Sequence, residues 1–215
     1  MYKIIILGPQ GSGKGTQGKM ISEKFGIPLI STGALLRKEI TEQTEFGKQI
    51  EDLIKQGQLV PDDLVTQLLR RRLESTDAQM GFILDGYPRN RAQADLLATF
   101  VKPTHILALQ LADHEALKRM SGRLLCPQCG SNYHVVYNPP KNDHGTVEWS
   151  CDQDKTLLII RDDDKPAAIQ QRLDVYHQET EPLFELYRPA GLVYDIDASK
   201  SIEEIQQEIL RVLVN

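Results

Sequence analysis

The chain has 215 residues, 40% of them hydrophobic and 26% charged, and carries a formal net charge of -5. That length and balance suit one sizeable folded domain, or a domain carrying insertions. The acidic balance argues against broad attraction to nucleic acid or an anionic membrane, and no stretch is apolar for the length that a membrane span needs.

The opening run Lys3-Ile4-Ile5-Ile6-Leu7 is continuous and β-branched, and predicts a buried strand. It is too short for a signal-peptide core, so a cytoplasmic protein is expected. A helical pattern follows over residues 13–25, then a second strand at Pro28–Ser31. Residues 31–60 read as helices without an intervening strand. Pro61 and Asp62 open a helix with Leu64, Leu68, Leu69 and Leu73 on its apolar face. Further strands are expected at Phe82–Leu84, Ile106–Leu109 and Gly191–Ile196. Residues 126–160 suggest a small β-rich insert, and Ile202, Ile205, Ile209, Leu210 and Leu213 a closing amphipathic helix. Strands alternating with helices imply an α/β fold, a five-stranded parallel sheet flanked by helices, with ligands at the carboxyl ends of the strands.

Between the first strand and the first helix lies Gly8-Pro9-Gln10-Gly11-Ser12-Gly13-Lys14-Gly15-Thr16. Glycines there let backbone N–H groups face a phosphate, and the helix N-terminus adds partial positive charge. Gly11, Ser12, Gly13, Lys14, Gly15 and Thr16 are therefore expected to hold a nucleoside triphosphate, with Lys14 at the β- and γ-phosphates. Gly15 separates Lys14 from Thr16, a variant of the general P-loop pattern. Asp85, ending the third strand, is placed to hold Mg2+ through water.

These segments together resemble the adenylate kinase family of nucleoside monophosphate kinases. The resemblance rests on Gly8–Gln17, on Ser31-Thr32-Gly33-Ala34-Leu35-Leu36-Arg37, on Asp85-Gly86-Tyr87-Pro88-Arg89 with Gln93, and on Arg119, Arg123, Arg161-Asp162-Asp163-Asp164 and Arg172. It implies transfer from Mg-ATP to AMP, giving two ADP. It also implies a core of residues 1–30, 61–121 and 161–215, a helical monophosphate-binding insert at 31–60 and a lid at 122–160. Thr32, Arg37, Gln58, Leu59, Val60, Gly86, Arg89, Gln93, Arg161 and Arg172 would hold AMP, with Gln93 on its base. Arg119, Arg123, Tyr133, His134 and Lys200 would join the P-loop in holding ATP. Lys14, Arg89, Arg123, Arg161 and Arg172 would be catalytic, and Asp163 and Asp164 would take part in lid closure. Many arginines suit this chemistry, because phosphoryl transfer needs alignment and charge stabilisation more than covalent help. The pattern departs from many relatives at Ala34 and from some at Gln58. A monomer is expected, with no nucleic-acid or membrane partner.

The three cysteines fall within residues 126–151, unlike a secreted disulfide scaffold. Cys126-x2-Cys129 and Cys151-x2-Asp154 supply three thiolates and a carboxylate, a set that suits structural tetrahedral Zn2+. This resembles the zinc-bearing lid of some family members. His144 is the competing fourth ligand. Rival readings are a GTP:AMP kinase, another nucleoside monophosphate kinase, and, from a different class, a zinc-containing nucleic-acid-binding ATPase. The long lid disfavours a pyrimidine monophosphate kinase. The acidic balance and the lack of interleaved basic and aromatic residues disfavour the ATPase.

Overall fold

A computed structural model describes residues 1–55, 60–141, 149–160, 164 and 166–214. In chain order, β1 (Tyr2–Leu7) leads into α1 (Lys14–Phe25), and β2 (Leu29–Ser31) into α2 (Thr32–Thr41) and α3 (Glu45–Lys55). Next come α4 (Asp62–Leu73), β3 (Gly81–Asp85), α5 (Arg91–Ala98), β4 (His105–Gln110) and α6 (Asp113–Ser121). The small strands β5 (Arg123–Leu125) and β6 (Asn132–His134) pair antiparallel. The chain then returns through α7 (Pro166–Val175), a π turn at Tyr176–Thr180, α8 (Leu183–Tyr187), β7 (Val193–Asp197) and α9 (Ile202–Val214).

Among the described residues one five-stranded sheet forms, in the order β2-β3-β1-β4-β7, with every neighbouring pair parallel. Side chains of a strand alternate between faces. Ile5, Leu7, Leu84 and Ile106 pack with Val65, Leu69, Leu97, Leu183 and Phe184 on one face. Ile4, Ile6, Ile83 and Leu107 pack with Ile21, Ile205, Ile209 and Leu213 on the other. Two covered faces explain why β1 is an unbroken apolar run rather than an alternating one.

The expected elements form, with shifted ends. The last sheet strand starts at Val193, because Gly191 (φ 68) is the left-handed cap of the preceding helical turn. The first helix starts at Lys14, since Gly13 (φ 87) is its left-handed N-cap. All five strands run the same way. Their carboxyl ends therefore deliver Gly8, Thr32, Gly86, Leu111 and Ala198 to one edge of the sheet.

Helices α2 and α3 pack closely at Gly47, where a Cβ would lie 1.9 Å from the carbonyl oxygen of Glu39. No rotamer relieves a clash with backbone. Gly47→Ala is expected to force the two helices apart at a cost of about 1–3 kcal/mol. A lowered urea midpoint for this variant would be the readout, and an unchanged one would contradict the close approach.

Candidate active site

The loop between β1 and α1 depends on glycine at two points of close approach. A Cβ on Gly8 (φ 154) would lie 2.6 Å from the Leu109 carbonyl oxygen, and one on Gly11 (φ 79) 3.0 Å from that of Ala116. Ser12 is fully buried, and its hydroxyl has no hydrogen-bond partner among the described residues. Lys14 folds back into the loop, its Nζ donating to the carbonyls of Gly8 and Pro9, both at 2.7 Å. Burial lowers its pKa from 10.5 to about 8. Asp85 opposes that shift, while Arg89, Arg172 and Arg123 add to it. Those effects place Lys14 in the field of one carboxylate and three guanidinium groups. Thr16 is exposed on the first turn of α1, and Gly15 faces the Asp85 carboxylate.

Two of the arginines share a counter-charge. Arg123 binds Asp164 through Nε at 2.7 Å and Nη2 at 2.5 Å. Arg172 reaches the same carboxylate at 3.6 Å, and the Asp164 side chain is fully buried. The third is held by its surroundings. Arg89 donates from Nε to the Gly86 carbonyl at 2.9 Å, its N–H donates to Gln93 Oε1 at 2.8 Å, and its carbonyl accepts from Thr180 at 2.6 Å. Thr32 donates to the same Gly86 carbonyl at 2.9 Å. The Arg37 guanidinium lies over Gly33. Val60 packs against the core beside α4, and Gln93 is buried. Thr32, Gly86, Arg89 and Gln93 thus form one connected group beside the loop.

On the other side, Arg119 donates to the carbonyls of Ala198 at 2.8 Å and Ser199 at 3.3 Å, and its guanidinium sits 5.7 Å from the Tyr137 ring. Lys200 adjoins this loop but is turned to Glu208, 2.8 Å away. The His134 ring lies against Gly122 and stacks at a tilt on Tyr137. Its Nδ1 accepts from the backbone of Val136 and Tyr137, and burial lowers its pKa.

The ligand atoms of Cys126, Cys129, Cys151 and Asp154 all lie within 4.8 Å of one another. Cys129 and Cys151 sulfurs are 3.5 Å apart, and Cys126 Sγ is 3.4 Å from Asp154 Oδ2. Thiolates about 2.3 Å from a tetrahedral zinc would stand roughly 3.8 Å apart, so the donors fit that ion. Burial raises the Cys126 thiol to about 11. Cys151 is also pushed up by burial, but the Tyr133 hydroxyl and backbone N–H groups outweigh this and hold it below its usual value. Asp154 is kept well below the usual carboxylate range, chiefly by the N–H of Thr156 at 3.0 Å.

Residues 6–192 match the model of the adenylate kinase family. The chain is 42% identical to the adenylate kinase of Archaeoglobus fulgidus over 215 residues, 98% of this chain and 97% of that one. It is 43% identical to that of Clostridium beijerinckii over 218 residues, 99% of each, and 43% identical to that of Methanosarcina barkeri over 215 residues, 98% and 97%. The chain belongs to the adenylate kinase family.

Some positions that the family resemblance singled out stand elsewhere than expected or lie outside the description. Tyr133, expected at the nucleotide, has its side chain in the cysteine cluster. Its hydroxyl lies 3.4 Å from Cys151 Sγ and accepts from Asp152 N at 2.9 Å, and its pKa is pushed up to about 12. Gln58, Leu59, His144, Arg161 and Asp163 lie outside the described residues. Sequence reasoning missed Tyr137, the ring facing Arg119, and Thr180, which holds the backbone of Arg89. The Tyr176-His177-Gln178-Glu179-Thr180 turn carries no motif that would mark Thr180.

The depressed pKa of Lys14 has a consequence for stability. Between about pH 8 and 10.5 the folded protein has released a proton that the unfolded chain keeps, so this group makes stability rise with pH across that window. Lys14→Met should remove that rise, a relative effect on the order of 3 kcal/mol. Urea unfolding of both proteins at pH 7.5 and pH 10, without nucleotide, reads the difference. Equal pH dependence would contradict the buried, cation-crowded setting of Lys14.

Proposed function

We propose that the protein catalyses reversible transfer of the γ-phosphoryl group from Mg-ATP to AMP, giving two ADP. The reading rests on one observation above the others. The Gly8–Thr16 loop holds Lys14 at the carboxyl edge of the sheet, Gly15 faces the Asp85 carboxylate, and Arg123 and Arg172 share Asp164, in a chain of this family. Such a site needs no general base for the transfer. It aligns two phosphates and spreads positive charge around the oxygens of the transferring group.

The roles then divide by position. The loop N–H groups and Lys14 bind the ATP phosphates, and Asp85 holds the magnesium, which neutralises phosphate charge when bound. Arg37 and Arg89 bind the AMP phosphate and Gln93 its base. Arg119 stacks over the ATP base beside residues 198–200. Arg123 and Arg172 exchange the Asp164 carboxylate for phosphate oxygens as residues 122–160 close over the site, and Arg161 joins them on the transferring group. Closure excludes water, which would otherwise take the phosphoryl group. Asp163 and Asp164 belong to this closing movement.

Cys126, Cys129, Cys151 and Asp154 hold one zinc ion in the lid. Four protein ligands close the coordination shell, so the ion is structural rather than catalytic. Among the described residues the insert has a small apolar core around Leu124, Tyr133, Trp149 and Leu158, and a metal staple compensates.

Mixing the protein with Mg-ATP and each of AMP, GMP, CMP and UMP tests the reaction. AMP should yield two ADP for each ATP consumed. ATP hydrolysis without transfer to any monophosphate would overturn the reading. Arg89→Ala should lower AMP-dependent turnover by about 10²-fold or more, as loss of a charge-stabilising donor does, while ATP affinity changes little. Near-normal turnover would remove Arg89 from the site.

Metal analysis of protein purified without chelator should find one zinc per chain. Stripping it should lower the melting temperature by roughly 5 °C or more, which is on the order of 2 kcal/mol for a chain of this size. A metal-free protein with an unchanged melting temperature would exclude the staple.

A further inference from the structure

Asp62 opens α4, and neither the phosphate loop nor the arginines call for it. Its carboxylate nevertheless makes two close hydrogen bonds. Oδ1 accepts from Gln93 Nε2 at 2.6 Å, and Oδ2 accepts from Asn90 Nδ2 at 2.9 Å. On its other side the Gln93 amide accepts, through Oε1, the backbone N–H of Arg89 at 2.8 Å. Asn90 is equally committed, its Oδ1 capping α5 by accepting from the Gln93 N–H at 2.8 Å. Thr66 and Tyr87 tie the segments together from below: Thr66 donates to the Asp62 carbonyl at 2.6 Å, and Tyr87 to the Gln93 carbonyl at 3.2 Å.

A glutamine amide can in general turn over, exchanging its oxygen for its NH2 group. Here it cannot do so without loss. Turned over, its oxygen would face the Asp62 carboxylate and its NH2 the Arg89 N–H, two like-on-like contacts in a buried place. Asp62 and the Arg89 backbone therefore set which end of the amide is donor and which is acceptor. Two hydrogen bonds leave the amide one N–H and one oxygen lone pair to offer. An amide with a defined donor and a defined acceptor matches adenine, which shows an amino donor next to a ring-nitrogen acceptor. A purine with oxygen at the same carbon shows an acceptor there, and would meet the amide oxygen.

We propose that Asp62 is a positioning residue for acceptor selectivity, locking the Gln93 amide in the orientation that favours a 6-amino purine over a 6-oxo purine. This rests on the reading that Gln93 faces the acceptor base.

The test compares Asp62→Ala and Gln93→Leu with the parent enzyme, using AMP and inosine monophosphate as acceptors at fixed Mg-ATP. Asp62→Ala should raise KM for AMP at least tenfold, with kcat within about threefold and KM for ATP unchanged. The ratio of kcat/KM for AMP to that for inosine monophosphate should fall at least tenfold in both variants. Simple destabilisation would reduce the active fraction for both acceptors alike and leave the ratio in place. A ratio that collapses in Gln93→Leu but holds in Asp62→Ala overturns the proposal and keeps Gln93 at the base. A ratio that holds in both removes Gln93 from the base, and the proposal with it. Should the alanine variant fail to fold, Asp62→Leu serves instead, since a side chain of similar size offers Gln93 Nε2 no acceptor. The ratio should then move in the same direction; an unmoved ratio there also overturns the proposal.

Discussion

Lys14, Arg89, Arg123 and Arg172 repel one another, and the fold brings them together all the same. Two carboxylates offset part of that repulsion. Asp85 faces Lys14 from the end of β3, and the buried Asp164 is shared between Arg123 and Arg172. Backbone carbonyls add to this: Gly86 for Arg89, Gly8 and Pro9 for Lys14. Burial is the main reason the Lys14 pKa is lowered; Arg89, Arg172 and Arg123 add to it and Asp85 opposes it. Four cations gathered around two carboxylates suit the proposed transfer, because donors already oriented towards developing charge need no reorganisation at the moment of reaction. Such a site is expensive to fold and ready to bind.

The sheet makes this concentration of charge bearable. With both faces of β1 buried under helices, side chains that carry charge are driven to the strand ends and the loops beyond them. Parallel strands then place all those ends on one edge. The fold and the site are thus not independent features. The same unbroken apolar run that fills the core also delivers the phosphate loop at its end.

This explains which features could be read from the sequence. Ile4 to Leu7 announces a two-sided strand because no polar residue interrupts it. The loop announces itself because its glycines answer to close approach and left-handed backbone at fixed spacing. The cysteine cluster is legible from Cys-x2-Cys and Cys-x2-Asp alone. Asp62 is legible only as a helix opener. Its bond to Gln93 spans 31 positions, and the pairing of Arg123 with Asp164 spans 41, so no local pattern encodes them. The resemblance puts Tyr133 at the nucleotide with its neighbour His134. Adjacent residues of a strand point to opposite faces, and Tyr133 points into the cluster.

The cluster itself is built from two turns of the same shape. In one, the Gly130 N–H donates to the Cys126 carbonyl at 3.0 Å with Gly130 at φ 73; in the other, the Lys155 N–H donates to the Cys151 carbonyl at 3.0 Å with Lys155 at φ 62. A lysine in left-handed conformation costs about 1–2 kcal/mol that a glycine would not, so the second turn is maintained against a local penalty. What it maintains is the position of Asp154 opposite Cys126. Only Leu124 and Leu125 separate Cys126 from Arg123, and β5 pairs Arg123 with His134 in the hairpin that Tyr133 anchors to Cys151. Rigidity in the knuckles is therefore rigidity in the arginine. Among the described residues this segment has a small apolar core, so the strained turn and the cluster of cysteines with Asp154 do more to fix where Arg123 meets Asp164.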